Sequence, residues 1–182
     1  MLFTDSYEAK LTAMEEKGPD ALEMATKTNQ EGKAKTRSKT IDDSIRLIIL
    51  DCYDTLFIRD KREQWVLRKG VKEFLDYYKN KKLAISSDSE KQPITDLVKK
   101  YYLEDYFKGN IYGEEIYDED TEIKHLDQVL YYTQEKAEHT LFIGDDFHNR
   151  DSASAKTYGI KFIKVPNGKE DETFDFRNLI ST

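Results

Sequence analysis

Leu47-Ile48-Ile49-Leu50-Asp51-Cys52-Tyr53-Asp54-Thr55-Leu56 is an apolar run that ends abruptly in a carboxylate, followed by a second carboxylate and a hydroxyl. A short continuous apolar run bounded by charge reads as a strand buried on both faces, the habit of parallel sheets. Ligand sites in open parallel sheets lie outside the carboxyl ends of the strands, so Asp51 is expected at the mouth of one. A carboxylate there can ligate a cation or attack an electrophile. Taken alone, the segment fits equally well an Asp that caps a helix or opens a turn. The rest of the chain decides between the two.

Working outward, further strands are expected at 82–87, 140–144 and 160–165, with a weaker one near 109–112. Helical stretches separate them. Val71, Phe74, Leu75 and Tyr78 fall at i, i+3, i+4 and i+7, one helix face. Pro93 opens a helix that buries Ile94, Leu97 and Val98. Thr121 to Tyr132 reads as a helix with Thr121 as cap and a stripe of Ile123, Leu126 and Leu130. Asp151 to Tyr158 reads as another, closed by Gly159. Strands alternating with helices predict a three-layer α/β/α, Rossmann-like fold with a mainly parallel sheet, over residues 45–182. The acidic last segment is expected to pack Phe174, Phe176 and Leu179 on that domain.

Residues 1–44 differ in character. Tyr7 to Lys17 suits a short polar helix, Gly18-Pro19-Asp20 punctuates it, and Thr26 to Thr40 is almost free of apolar residues. The expectation is a polar, partly helical arm with a basic cluster at Lys33, Lys35, Arg37 and Lys39, suited to a solvated tail or a protein partner. A net charge of −7 over 182 residues argues against a nucleic-acid or anionic-membrane binder. No apolar run has the ~18 residues a membrane span needs. The single cysteine, Cys52, excludes an internal disulfide and reads as a small buried strand-end residue. These features point to the cytoplasm or another reducing intracellular compartment.

Three more features sit at expected strand ends. Leu83-Ala84-Ile85-Ser86-Ser87-Asp88 closes on hydroxyls, and Leu141-Phe142-Ile143-Gly144-Asp145-Asp146 closes on carboxylates. Lys124 follows an acidic loop, early in the expected helix. If the first and fourth strands are neighbours, Asp51 and Asp145 face each other, which is costly unless a cation or proton intervenes. Oxygen ligands in a tight space suit Mg²⁺. Carboxylate, cation, hydroxyl and lysine together describe phosphoryl transfer to an aspartate nucleophile, with Ser87 and Lys124 on the equatorial oxygens.

In this order, the motifs resemble those of the haloacid dehalogenase-like hydrolase superfamily over about residues 45–166. Asp51-Cys52-Tyr53-Asp54-Thr55-Leu56 resembles the first motif, Ser87 the second, Lys124 the third and Gly144-Asp145-Asp146 the fourth. Arg68 to Leu75 resembles the family's lead into the second strand. The resemblance implies Asp51 as nucleophile and metal ligand, Asp145 as metal ligand, and Tyr53 as ligand through its backbone carbonyl. Lys124 would be catalytic and, with Ser87 and Asp88, substrate-binding. Asp146 or Asn149 would assist the metal through water.

The pattern breaks at Tyr53, where phosphatases of the family carry an acid/base Asp. Tyrosine there resembles the dehalogenase branch, yet the intervals Asp51 to Ser87 and Ser87 to Lys124 are too short for a cap domain. General acid catalysis is worth about 10²–10⁴-fold, and its loss hurts alkyl phosphates more than aryl phosphates or anhydrides. Asp54, one place later, is the alternative donor, although its side chain should point away from its neighbour's direction if the backbone stays extended. The leading reading is therefore a capless, Mg²⁺-dependent phosphatase acting through an aspartyl-phosphate on a phosphorylated small molecule or macromolecule. The second is a weak or inactive binding domain docked through residues 1–44, and the third a dehalogenase. A strained, solvent-open Asp51 within cation reach of Asp145 favours catalysis, and Asp51 locked in an Arg or Lys salt bridge favours binding.

Overall fold

All four residues of β1 (Leu47–Leu50) are buried, and they divide between two separate apolar clusters. Ile48 and Leu50 belong to one cluster, Leu47 and Ile49 to the other. Neighbouring residues of a strand point to opposite faces, so this strand is covered on both sides. In this computed structural model, which describes residues 41–180, β1 is followed by β2 (Phe57–Arg59), β3 (Trp65–Leu67), α1 (Val71–Tyr77), β4 (Lys82–Ser86) and α2 (Lys91–Lys100). Next come α3 (Glu104–Phe107), β5 (Ile111–Tyr112), β6 (Tyr117–Asp118), β7 (Ile123–Lys124) and α4 (Leu126–Thr133). The order closes with β8 (Thr140–Gly144), α5 (Arg150–Thr157) and β9 (Lys161–Lys164).

The sheet runs β5-β4-β1-β8-β9 with every pair parallel. Val71, Phe74 and Leu75 of α1, Ile94 and Val98 of α2 and Phe107 of α3 join the first cluster. Leu126 and Val129 of α4 and Ala155 of α5 join the second. Helices therefore cover both faces, the three-layer arrangement that the alternating sequence predicts. Two short antiparallel hairpins, β2-β3 and β6-β7, are the only strands outside this sheet among the described residues, and neither amounts to a cap domain. No helix of the described residues is long and apolar enough to cross a membrane.

The expected helix from Thr121 to Tyr132 begins only at Leu126. In its place, Tyr117 and Asp118 pair with Lys124 and Ile123. The Asp118 carboxylate accepts the backbone N–H groups of Asp120 and Thr121, and Glu122 turns through a positive φ of 55°. A run of like-charged acidic residues makes a poor helix, whereas an Asp that caps its own turn makes a good hairpin. Lys124 is thus on a strand rather than early in a helix. Its backbone N–H donates to Ser154 Oγ of α5 at 2.9 Å, which fixes its position against the second layer.

Of the arm expected over 1–44, residues 1–40 lie outside the described residues. Ile41, ahead of the boundary expected at 45, is already buried in the first cluster. At the other end, Phe176 and Leu179 are buried and Phe174 is half-buried, as the acidic tail's three apolar residues suggest. Arg68, also buried, stitches this tail to the sheet's edge. Its guanidinium donates to the carbonyls of Asp54 at 3.0 Å, Pro166 at 2.7 Å and Asp171 at 2.6 Å. One cation thereby sets the positions of the loops that follow β1 and β9.

Candidate active site

From β1 the chain steps to β4 and β5 on one side, then crosses to β8 and β9 on the other. The strand order therefore reverses between β1 and β8, where open α/β sheets form their ligand crevice. Leu50 is level with Ile143, so Asp51 and Asp145 leave the two central strands side by side. Thr55 ties them together. Its hydroxyl donates to Asp51 Oδ2 at 2.9 Å and accepts the Asp145 N–H at 3.0 Å. Lys124 Nζ lies 2.6 Å from Asp51 Oδ1 and 2.8 Å from Asp151 Oδ1. Carboxylate oxygens of Asp51, Asp145 and Asp151 all lie within 4.8 Å of one another, and all three residues are buried.

Asp151 reaches this cluster because residue 144 has no side chain. A Cβ built on Gly144 would fall 2.1 Å from Asp151 Oδ2, closer than two non-bonded atoms approach. Gly144→Ala should therefore displace the Asp151 carboxylate or the β8 backbone and cost about 1–3 kcal/mol, as overpacking usually does. Urea unfolding checks this, and an unchanged midpoint would contradict the packing described.

Burial dominates the electrostatics. It pushes the Asp51 carboxyl up to about 7, with Lys124 opposing and the Asp151 and Asp145 charges adding to the rise. Asp145 is raised for the same reason, against the bond it accepts from the Asn167 side-chain amide. Burial alone would lower Lys124, but Asp51 and Asp151 beside it hold the ammonium charged above its ordinary range. Three buried carboxylates stand beside one ammonium, which bonds Asp51 and Asp151 directly, and this leaves the cluster short of positive charge.

These carboxylates line the floor of a cavity of about 560 Å³. Ser87 and Asp88, after β4, form one wall, with Asp88 held by Arg150 at 3.1 Å. Arg150 also pairs with Glu122 at 2.7 Å. Opposite stand Lys164, Asn167, Lys169 and Glu170. Tyr53 also lines the cavity, its ring packed on Trp65 at 4.5 Å between centroids.

A sequence profile of haloacid dehalogenase-like hydrolases matches residues 8–165. The chain belongs to this family. A solved hydrolase of the superfamily, of subfamily IA from Geobacter sulfurreducens, superposes with a TM-score of 0.54 at 16% identity, covering 68% of this chain and 92% of its own. The 3-deoxy-D-manno-octulosonate 8-phosphate phosphatase of Moraxella catarrhalis, solved with magnesium, phosphate and KDO, gives a TM-score of 0.40 at 15% identity over 72% of this chain and 82% of its own. The corresponding Yersinia pestis enzyme gives 0.41 at 14% identity, over 71% and 77%. No curated protein matches the chain.

Within this haloacid dehalogenase-like domain, the residues singled out from the sequence gather around one cavity. Asp51, Tyr53, Ser87, Asp88, Lys124, Asp145, Asp146 and Asn149 all line it. Ser86, one residue before Ser87, is buried within β4. Asp146 is turned differently from its neighbour: its Oδ1 caps α5 by accepting the Ser152 N–H at 2.9 Å, so its carboxylate is partly spoken for. Asp54 departs from the extended backbone assumed for it. At φ 56° it swings into the cavity wall, with its carboxylate against Gly168, and burial raises its carboxyl. Cys52 is fully buried, and burial pushes its thiol well up, so it is packing rather than a nucleophile.

Three site residues are not legible as such in the sequence. Asp151 reads as an ordinary acidic residue in the first turn of a helix. Thr55 is visible as a hydroxyl near Asp51, but its bridging role needs β8 in place. Asn167 sits in a Pro-Asn-Gly turn with no local sign that it will meet Asp145.

The donor set suits a hard divalent cation. Asp51 and Asp145 offer carboxylate oxygens at the cavity floor, and the surplus of buried negative charge is the kind that a cation relieves.

Proposed function

We propose that this chain is a Mg²⁺-dependent phosphatase that works through an aspartyl-phosphate on Asp51. The observation that carries this reading is the cluster of Asp51, Asp145 and Asp151 around Lys124 at the switch point of the sheet. Asp51 and Asp145 would hold the ion, with the Tyr53 carbonyl and water completing its shell and Asp146 or Asn149 assisting through water. When bound, Mg²⁺ would cancel the repulsion between the Asp51 carboxylate and a phosphate dianion.

The remaining work falls to the chain itself. Lys124 is charged and within bonding distance of Asp51, so it is placed to draw a phosphate oxygen toward the nucleophile. Ser87 supplies a hydroxyl from the neighbouring strand end, where its own N–H is tied to Tyr112 O at 3.0 Å. Thr55 holds one Asp51 oxygen, which leaves the attacking geometry fixed before substrate arrives. Membership of the hydrolase family supports the reading.

One observation favours the second reading, a domain kept for binding. Asp51 is ion-paired to Lys124 at 2.6 Å and sits beside a position, Tyr53, that lacks a carboxylate. Against it, Lys124 is shared with Asp151 and cannot neutralise both. Hydrolysis of para-nitrophenyl phosphate by the purified protein separates the two. The phosphatase reading expects release that falls at least ~100-fold on chelation and returns with Mg²⁺. Absence of release from a folded protein that binds Mg²⁺ would leave the binding reading standing, with residues 1–44 as the docking arm to test next.

A further inference from the structure

The fold holds an aromatic wall at the cavity mouth for which the hydrolytic machinery has no use. Phe147 follows the fourth motif directly and lines the cavity, yet 59% of its surface is exposed. Its ring meets that of His148, also a lining residue, at 4.0 Å between centroids and 69° between planes. The backbone goes out of its way to present this pair. Asp146, His148 and Asn149 all have left-handed φ, at 62°, 53° and 61°. Asp and Asn tolerate that conformation, but a histidine does so at a cost in free energy. The turn is pinned from within. Asn149 N–H donates to Asp146 O at 2.9 Å, and Phe147 N–H points to Asp145 Oδ1 at 3.4 Å. A large apolar ring is thus fixed two residues from an Asp that faces the nucleophile, and it is left open to the cavity.

A second observation concerns the leaving group. Tyr53 occupies the acid/base position, and its ring is packed on Trp65, so no carboxylate stands there to protonate a departing alkoxide. Asp54 lines the cavity but lies against Gly168, on the side of the loop that follows β9. A site without a proton donor suits a leaving group that departs readily as an anion. Phenolates meet that requirement, and a phenol also brings a flat ring to an exposed aromatic pair.

We infer that the site takes phosphate monoesters of phenols, with the phosphate at Asp51 and the phenol ring against Phe147 and His148. This rests on the phosphatase reading above and adds the substrate class to it. In the reaction, an Asp51 carboxylate oxygen bonds to phosphorus while the phosphorus–oxygen bond to the phenol breaks. The phenolate leaves with the bonding pair and takes its proton from water. A second water then releases inorganic phosphate from Asp51, restores the carboxylate and gives a proton to solvent.

The test compares substrates and inert analogues on the full chain with Mg²⁺. With a series of substituted phenyl phosphates, kcat/KM should climb steeply as the phenol becomes more acidic. Glycerol phosphate should be at least ~100-fold slower than para-nitrophenyl phosphate. By calorimetry, phenylphosphonate should bind about five- to tenfold more tightly than methylphosphonate, and Phe147→Ala should erase most of that difference. A phosphotyrosyl peptide turned over faster than phenyl phosphate would identify a protein-borne source of the phenol, and the reverse order a small molecule. Comparable turnover of alkyl and aryl phosphates would overturn the inference, and loss of that parity in Asp54→Asn would assign the proton donor to Asp54. Equal binding of the two phosphonates would overturn it too. Failure to hydrolyse any phosphate, acetyl phosphate included, would instead count against the phosphatase reading, and the phosphonate comparison would still report on the ring contact.

Discussion

Asp51→Asn should abolish hydrolysis of para-nitrophenyl phosphate, lowering turnover by about 10⁴-fold or more while leaving the fold intact. A carboxamide oxygen is a feeble nucleophile, and residues that act together in covalent catalysis lose nearly everything when the attacking atom is lost. The fold should survive because burial already opposes ionisation of Asp51, pushing its carboxyl up to about 7, so the neutral amide meets no new penalty there. The amide is nearly isosteric and keeps an oxygen for the Thr55 hydroxyl, and Lys124 retains Asp151 as its partner. Circular dichroism and a melting curve alongside the assay would show whether loss of activity is separate from loss of structure. Activity comparable to the parent chain would remove Asp51 as the nucleophile.

Lys124→Met should be costly in both respects. The Lys124 ammonium is the one cation that bonds Asp51 and Asp151 directly among the described residues, and both carboxylates are buried. Removing one partner of a buried ion pair leaves charge stranded in low dielectric, typically at about 3–5 kcal/mol. For a domain of this size that corresponds to a fall in Tm of roughly 10 °C or more. Unlike Asp51→Asn, this substitution should also be partly rescued by Mg²⁺, since any cation admitted to the cluster relieves the same repulsion. Thermal melts with and without Mg²⁺ check both statements. A variant as stable as the parent, with no response to Mg²⁺, would mean that the cluster is not short of positive charge.

Asp51 and Lys124 differ in how far neighbouring residues specify their places. The place of Asp51 is legible because it is local: four apolar residues and an Asp specify a buried strand and what stands at its end. Asp145 was legible for the same reason, since Leu141-Phe142-Ile143-Gly144 repeats the pattern. Lys124 was legible as a residue but not as a place. Local stripes predicted a helix from Thr121, and pairing of Tyr117 with Lys124, helped by Asp118 at the turn, produced a hairpin instead. An extended backbone would point the Asp54 side chain away from the site, whereas its left-handed φ of 56° puts it in the cavity wall.

Taken by itself, the sequence determined the layered α/β architecture, because periodic burial is written into neighbouring residues and each strand's burial on both faces needs no knowledge of its partners. It also determined which strand ends carry carboxylate and hydroxyl. Only the tertiary structure decided that Asp151 joins Asp51 and Asp145. That contact depends on α5 folding back over Gly144, where the absence of a Cβ admits the carboxylate. It likewise decided that Thr55 bridges two strands and that Asn167 reaches Asp145, because each contact joins residues that only parallel pairing and the buried Arg68 bring together. Such contacts are governed by the close packing of distant segments, and no window along the chain contains them.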